Sequence, residues 1–391
     1  MRQEFADLSA EPGLSPLSIP GPRTDLTPTP LRVLALSASS GGGHDGTAQA
    51  LRQLLESAHP GGIQWQCLDV YDRGLRLLPW LARVRHHTFG GWALFTRVTE
   101  WPWVLRMARW ALVERLVHSV LARVDPWPDL LIATHFAAAQ ILDTVASRLP
   151  RRPITVIVAS DYSPHRAWFA KADALIVSHD PGQARARQFM GDSQRIISST
   201  LLPCLPATPR GSRTRTDRHV RMLVVMGAEG TSGNQLIHLL RALSIRPWSA
   251  LLDIEIICGR NERLQEKLRA LNVGQVTGYV TDLPQRLAEA DICLLRASPL
   301  VMTEALAAGT AVLAFDWHAH EAANAYLIEQ WECGRASKSI PELVNILQDW
   351  TERPGQLASV QTAARKLATQ TLQVCAIRPL VEEAARARCL S

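Results

Sequence analysis

The 391-residue chain lacks any apolar run near the roughly 20 residues that a membrane-crossing helix needs, so any membrane contact is expected at the surface. Its first thirty residues carry Glu4, Asp7 and Glu11 and no apolar core segment, so no secretory signal peptide is visible. Cysteine is sparse and unpatterned. The seven residues Cys67, Cys204, Cys258, Cys293, Cys333, Cys375 and Cys389 are odd in number and never form a CxxC pair. That spacing argues against a disulfide framework or a zinc site and fits a reducing cytosol. Between Arg73 and Arg123 there is neither lysine nor aspartate: nine arginines face only Glu100 and Glu114. The same stretch holds Trp80, Trp92, Trp101, Trp103 and Trp110, five of the chain's 12 tryptophans. The net charge of +6 (pI about 9.1) is therefore unevenly spread, and 47% hydrophobic residues suffice for more than one core. Length alone suggests two to three domains.

Residues 1–30 are rich in Pro, Ser, Thr and Gly and read as a disordered leader. From 31 to 204 apolar strands alternate with helices, with strands at Leu31–Ala38, Gln64–Val70, Leu130–Ala133, Thr155–Ala159 and Ala174–Val177. The proline- and glycine-bearing stretch around 205–218 reads as a linker. A second alternating series fills 219–355, and 356–391 reads as one Ala-rich helical segment. Alternation of this kind implies parallel sheets with ligands at the carboxyl ends of the strands. The expected architecture is α/β: two doubly wound, Rossmann-like domains with a cleft between them.

Both series open the same way, about 190 residues apart. Leu31–Ser37 runs into Gly41-Gly42-Gly43-His44, and Val220–Met226 runs into Gly227-Ala228-Glu229-Gly230. A strand, a glycine turn and a helix N-terminus make an anion-binding corner, because unpaired N–H groups and the helix dipole converge there. Only the first corner carries a histidine. A neutral imidazole at that place can take a proton from an attacking hydroxyl; the alternative is a surface histidine with one local hydrogen bond. A second cluster, Ser160-Asp161-Tyr162-Ser163-Pro164-His165-Arg166-Ala167-Trp168, follows the strand at 155–159. There Asp161 can act as a base or orient one, and His165 can hold an anion; the alternative is a capping Asp beside a buried His and Trp. The third cluster joins Arg296, Ser298 and Glu304 to Asp316-Trp317-His318-Ala319-His320-Glu321 and Asn324. Glu304 can accept bonds from two ribose hydroxyls, or merely complement a helix dipole for about 0.3–1 kcal/mol.

These residues resemble the processive diacylglycerol glycosyltransferases and monogalactosyldiacylglycerol synthases, relatives of the peptidoglycan N-acetylglucosaminyltransferase. The resemblance covers about 31–350 and rests on SASSGGGH (37–44), Thr134-His135, SDYSPHRAW (160–168), MGAEG (226–230), ICGRNERLQEKL (257–268), GYVTDLPQRLAEADI (278–292) and the Ala-Ser-Pro…Glu-Ala loop. It implies the twin-Rossmann GT-B fold and transfer from a UDP-sugar to a lipid hydroxyl without metal or other cofactor, and no Asp-x-Asp motif occurs. By the resemblance, His44 and Asp161 are catalytic, and His135, His165 and Trp168 lie on the acceptor side. Gly227, Gly230, Arg260, Arg296, Ser298, Glu304, His320, Glu321 and Asn324 bind the donor. The chain departs from the pattern: Arg296 stands for Lys, Ser298 and Leu300 for glycines and His320 for Gln, the loop before Glu321 is one residue short, and the second glycine loop is one glycine short. Leu300 is expected to narrow the diphosphate loop, and the sugar does not follow from these residues.

The Arg/Trp stretch reads as one or two helices that meet an anionic membrane through Trp80, Arg83, Arg85, Trp92, Trp101, Trp103, Arg106, Arg109 and Trp110. Seven net charges at about 1 kcal/mol each set a ceiling of about 7 kcal/mol. The alternative is an amphipathic helix pair with core tryptophans. No nucleic-acid module appears, so nucleic acid is not an expected partner. The expected function is an inverting, UDP-sugar-dependent hexosyltransferase acting on a diacylglycerol-type lipid, peripheral at the cytoplasmic membrane face. The rivals are a UDP-N-acetylglucosamine 2-epimerase-type enzyme and a non-catalytic nucleotide-sugar or lipid-binding descendant.

Overall fold

The computed structural model describes residues 30–38, 42–59, 61–71, 101, 113–205, 219–227, 233–317 and 321–389. The expected leader and most of the expected linker lie outside these residues. The chain builds two six-stranded parallel sheets. The first comprises β1 (Leu31–Ser37), β2 (Ile63–Asp69), β3 (Leu130–Ala133), β4 (Ile154–Val158), β5 (Ala174–Ser178) and β6 (Ile196–Ser199), in the order β2-β1-β3-β4-β5-β6. The second comprises β7 (Val220–Val225), β8 (Leu252–Ile257), β9 (Gln275–Thr277), β10 (Ile292–Arg296), β11 (Ala311–Asp316) and β12 (Gly334–Ala336), in the order β12-β11-β10-β7-β8-β9. Their central strands are near-continuous Leu, Val, Ile and Ala because helices cover both faces of a parallel sheet.

Strand order reverses between β1 and β3 in the first sheet and between β7 and β10 in the second. Doubly wound sheets bind ligands at this switch point, outside the carboxyl ends of the strands. The helix Gly42–Ala58 leaves β1, and the helix Phe136–Arg148 leaves β3. Their counterparts, Gly233–Ser244 and Pro299–Ala307, leave β7 and β10. The reversal therefore aims one pair of helix N-termini at each ligand corner.

The C-terminal region is broken once. It forms two helices, Pro354–Ala368 and Val374–Cys389. The first packs in the second domain, where Leu357 and Ala364 are fully buried. The second returns to the first sheet, and Leu372, Ile377, Leu380 and Val381 bury against Leu31, Val33, Ile132 and Val158. At about 1.5–3 kcal/mol per buried aliphatic side chain, this cover is a main term in the first domain's stability. The break at 369–373 is pinned: Thr200 and Leu201 N–H both donate to Gln370 O, at 3.1 and 3.3 Å. The outward and return crossings of the chain thus lie side by side.

The described end of the Arg/Trp stretch is helical over 113–121. Leu116, Val117 and Val120 bury in the first domain's core, and Arg148 grips Glu114 with both terminal nitrogens at 2.9 and 2.7 Å. Trp101 is exposed. Trp80, Arg83, Arg85, Trp92, Trp103, Arg106, Arg109 and Trp110 lie outside the described residues. Among the described residues no helix is long and apolar enough to cross a membrane.

Candidate active site

His44 stands in the first turn of the helix that leaves β1. Ser37, the last residue of that strand, donates its hydroxyl to Asp45 at 2.7 Å and fixes how the helix starts. The His44 Nδ1 lies 2.9 Å from Thr134 O and 2.8 Å from Ser160 Oγ. A carbonyl only accepts, so Nδ1 carries the proton and Nε2 keeps the lone pair. Burial lowers the His44 pKa, against the opposing pull of Asp161, so the imidazole is neutral near pH 7. A neutral ring with a fixed tautomer and an available Nε2 is suited to accept a proton.

Asp161 lies close behind. Its Oδ2 accepts the Trp168 Nε1–H at 2.7 Å. Burial raises its pKa, while the nearby His44 and the Trp168 bond oppose that rise and Glu321 of the other domain adds to it. This carboxyl therefore feels charges on both sides of the junction between domains.

His135, His165 and Trp168, expected on the acceptor side, are all buried. His135 caps the helix Phe136–Arg148 by accepting Ala137 N–H at 3.0 Å, and meets the His44 ring edge-on at 4.5 Å between centroids. His165 caps the short helix Arg166–Trp168, and burial drops its pKa to about 4. Trp168 has no exposed surface, and its indole N–H is committed to Asp161. His135 and His165 turn back onto their own backbone as helix caps, and all three side chains pack around the two candidate catalytic groups.

On the other side, Gly227 ends β7 with φ of +73°, a left-handed turn that favours glycine. Arg296 ends β10, and its Nη2 donates to Glu321 Oε1 at 2.9 Å. The Glu321 side chain is 2% exposed. The charge of Arg296, expected to bind the donor, is thus partly compensated. Glu304, on the helix Pro299–Ala307, is buried and has no hydrogen-bond or ion-pair partner among the described residues. Desolvation alone raises its pKa to about 7. Such a carboxylate is costly unless a ligand's hydroxyls reach it. Ser298 holds the N-cap position of that helix and makes no side-chain cap bond. Asn324, expected to touch the donor sugar, is buried and donates one amide N–H to Ala297 O at 2.8 Å. The Arg260 guanidinium lies over the Tyr279 ring at 4.4 Å. Gly230 and His320 lie outside the described residues. No group of three His, Cys, Asp or Glu among the described residues has metal-binding geometry.

Two groups that hold His44 carried no assigned role in the sequence: the Thr134 carbonyl and the Ser160 hydroxyl. The first acts through its backbone, which side-chain motifs do not display.

The profile described as Glycosyl transferases group 1 matches residues 235–345. Monogalactosyldiacylglycerol synthase 1 (chloroplastic) of Arabidopsis thaliana is 26% identical over 352 residues, covering 82% of this chain and 65% of the relative. The chain thus spans a little under two thirds of that relative's length. The crystal structure of Acinetobacter baumannii MurG superposes with a TM-score of 0.57 at 17% identity, covering 90% of this chain and all of that one. Anabaena HepE, solved in complex with UDP and glucose, superposes with a TM-score of 0.52 at 15% identity, covering 92% and 100%. The two parallel sheets form a two-domain, Rossmann-like GT-B fold, and the chain is similar in sequence to the monogalactosyldiacylglycerol synthases.

Proposed function

We propose that this chain is an inverting glycosyltransferase that moves a hexose from a UDP-sugar to the hydroxyl of a diacylglycerol-type lipid. The observation that carries this reading is His44, neutral and tautomer-locked with Nε2 available, on the domain that faces the buried carboxylate of Glu304. The acceptor oxygen gives its proton to His44 Nε2 and attacks the anomeric carbon as the bond from that carbon to the UDP oxygen breaks. Asp161 stabilises the imidazolium that forms. Arg296 and the backbone N–H groups opening the helix Pro299–Ala307 take up the charge growing on the leaving diphosphate. Glu304 holds the ribose hydroxyls, with Tyr279 beside the nucleoside. No step calls on a metal or other cofactor.

Lipid access is assigned to the Arg73–Arg123 stretch, whose one-signed charge and tryptophans suit an anionic surface. The protein then works as a peripheral enzyme, at the cytoplasmic face of the membrane. Relatives named for galactolipid synthesis support the acceptor class.

The test supplies purified protein with UDP-galactose, UDP-glucose or UDP-N-acetylglucosamine, with and without diacylglycerol in anionic vesicles. The expected result is UDP release that requires the lipid, with a glycolipid product. Lipid-independent epimerisation of UDP-N-acetylglucosamine, or nucleotide binding without turnover, would replace the reading by one of its rivals. Vesicle flotation with and without anionic lipid checks the surface assignment; equal partitioning removes it.

A further inference from the structure

Gly46 and Leu300 belong to different domains and different helices, yet they occupy one space. Gly46 lies two residues after His44, and Leu300 is the second residue of the helix Pro299–Ala307. A Cβ built on Gly46 would fall 2.3 Å from Leu300 Cδ2. Gly46 has ordinary helical backbone, so its conformation does not demand glycine. The leucine of the other domain fills the space that a side chain there would take, so an alanine must push the end of Leu300 aside. Leu300, expected to narrow the diphosphate loop, reaches across and seats on the helix that carries His44.

A second contact joins the same two helices' neighbourhoods. Tyr162, directly after Asp161, is fully buried, and its hydroxyl lies 2.7 Å from Thr303 Oγ1, directly before Glu304. Thr303 donates its own proton to Pro299 O at 2.7 Å, so the tyrosine donates and Thr303 accepts. The ring is held in place: it stacks on His179 at 5.8 Å and meets Trp331 of the second domain edge-on at 5.7 Å. The His179 Nε2–H donates to Tyr162 O at 2.6 Å.

We propose that Gly46–Leu300 and Tyr162–Thr303 form a two-point clamp that sets His44 and Asp161 in register with the donor helix. All four are positioning residues, and the clamp rests on the glycosyltransferase reading only for its effect on turnover. Each point lies within two residues of a candidate catalytic group on one side, and within two residues of Ser298 or Glu304 on the other. Registration matters because a displacement of about 1 Å in a reacting pair can cost about a hundredfold in rate.

The test is a double-mutant cycle on Gly46→Ala and Leu300→Gly, with Tyr162→Phe as an independent variant. One readout is turnover at saturating UDP-sugar, split into kcat and KM. The other is the interdomain distance between spin labels carried by noncanonical residues at the exposed positions Gln53 and Glu266. Helix propensity alone favours alanine at position 46, so a loss there opposes the local trend. In the otherwise unchanged chain, Gly46→Ala should lower kcat roughly tenfold and add a longer-distance population. In the Leu300→Gly background the same change should alter kcat by less than about twofold and leave the distances unchanged, since contacting pairs are non-additive. Tyr162→Phe should also broaden the distances while UDP binding persists. Equal effects of Gly46→Ala in both backgrounds, or an unbroadened distribution in Tyr162→Phe, would overturn the clamp. If the unaltered chain shows no turnover with any UDP-sugar, the functional reading fails, and the distances alone still decide the clamp.

Discussion

The two domains are built on one plan at their amino ends and diverge at their carboxyl ends. In the first, Asp129 N–H donates to Arg32 O at 2.8 Å and the Asp129 carboxylate accepts Arg32 N–H at 3.0 Å. In the second, Asp291 N–H donates to Arg221 O at 2.8 Å and the Asp291 carboxylate accepts Arg221 N–H at 3.0 Å. Each aspartate also meets a C-terminal helix: Arg388 reaches Asp129, and Gln361 donates to Asp291 O. At the opposite ends the likeness is gone. The first corner presents a histidine locked by a carbonyl; the second presents a glycine turn, with an arginine and a lone buried carboxylate close by. Stability is maintained by the end that stayed alike, and chemistry is assigned to the end that changed.

Breaking the asymmetric end should have the largest effect. His44→Ala removes the only proton acceptor assigned to the acceptor hydroxyl, and should lower kcat by about 10²–10⁴-fold. UDP affinity, measured by calorimetry, should stay within about twofold. Retained turnover would return His44 to the status of a packing residue. The pH profile carries a sign as well. Because burial lowers the His44 pKa, kcat/KM should hold as pH falls through 6.5, the ordinary histidine value, and decline only below it. Breaking the symmetric end should act on folding instead. Asp129→Ala leaves the Arg32 N–H unmet and takes a charged partner from the part-buried Arg151 and Arg388 guanidiniums, and should cost about 2–4 kcal/mol in urea unfolding. Asp291→Ala leaves the Arg221 N–H unmet and takes one bond from Gln361. It should cost less, about 1–3 kcal/mol. Equal losses would mean that the guanidiniums at Asp129 find water.

This division explains what the sequence displayed and what it hid. Apolar strands followed by glycine turns are local patterns, so the twin corners, the parallel sheets and the places of His44 and Asp161 were legible. The edge strands Ile196–Ser199 and Gly334–Ala336 were not, being too short and too polar to show a period. The direction of a side chain was equally hidden. His135 and His165 look like ligand groups by type, but each turns back as a helix cap. The destination of the helix Val374–Cys389 is set by contacts with residues about 350 positions earlier, and no window along the chain contains that fact. Leu300 is the clearest case: against the family pattern it read as an obstruction, and only its distance to Gly46 reveals a partner.

The smallest expected effect tests the donor corner from the side of stability. The Glu304 pKa stands near 7, raised by desolvation from an ordinary value near 4.5. Raised in the folded state, this group favours folding fully below pH 4.5, and that contribution is lost as pH rises through 7. The cost of holding it ionised is at most about 3 kcal/mol. Glu304→Gln should therefore raise the melting temperature at pH 8 and change it little at pH 4.5. The same substitution should weaken UDP binding at pH 8, because an amide accepts two ribose hydroxyls less well than a carboxylate. Saturating UDP should then reverse the order of the two proteins' melting temperatures at pH 8, since a ligand stabilises the form that binds it. A Glu304→Gln protein that is no more stable at pH 8, yet binds UDP as tightly, would show the carboxylate to be idle at the donor corner. The functional difference between the two domains would then rest on His44 alone.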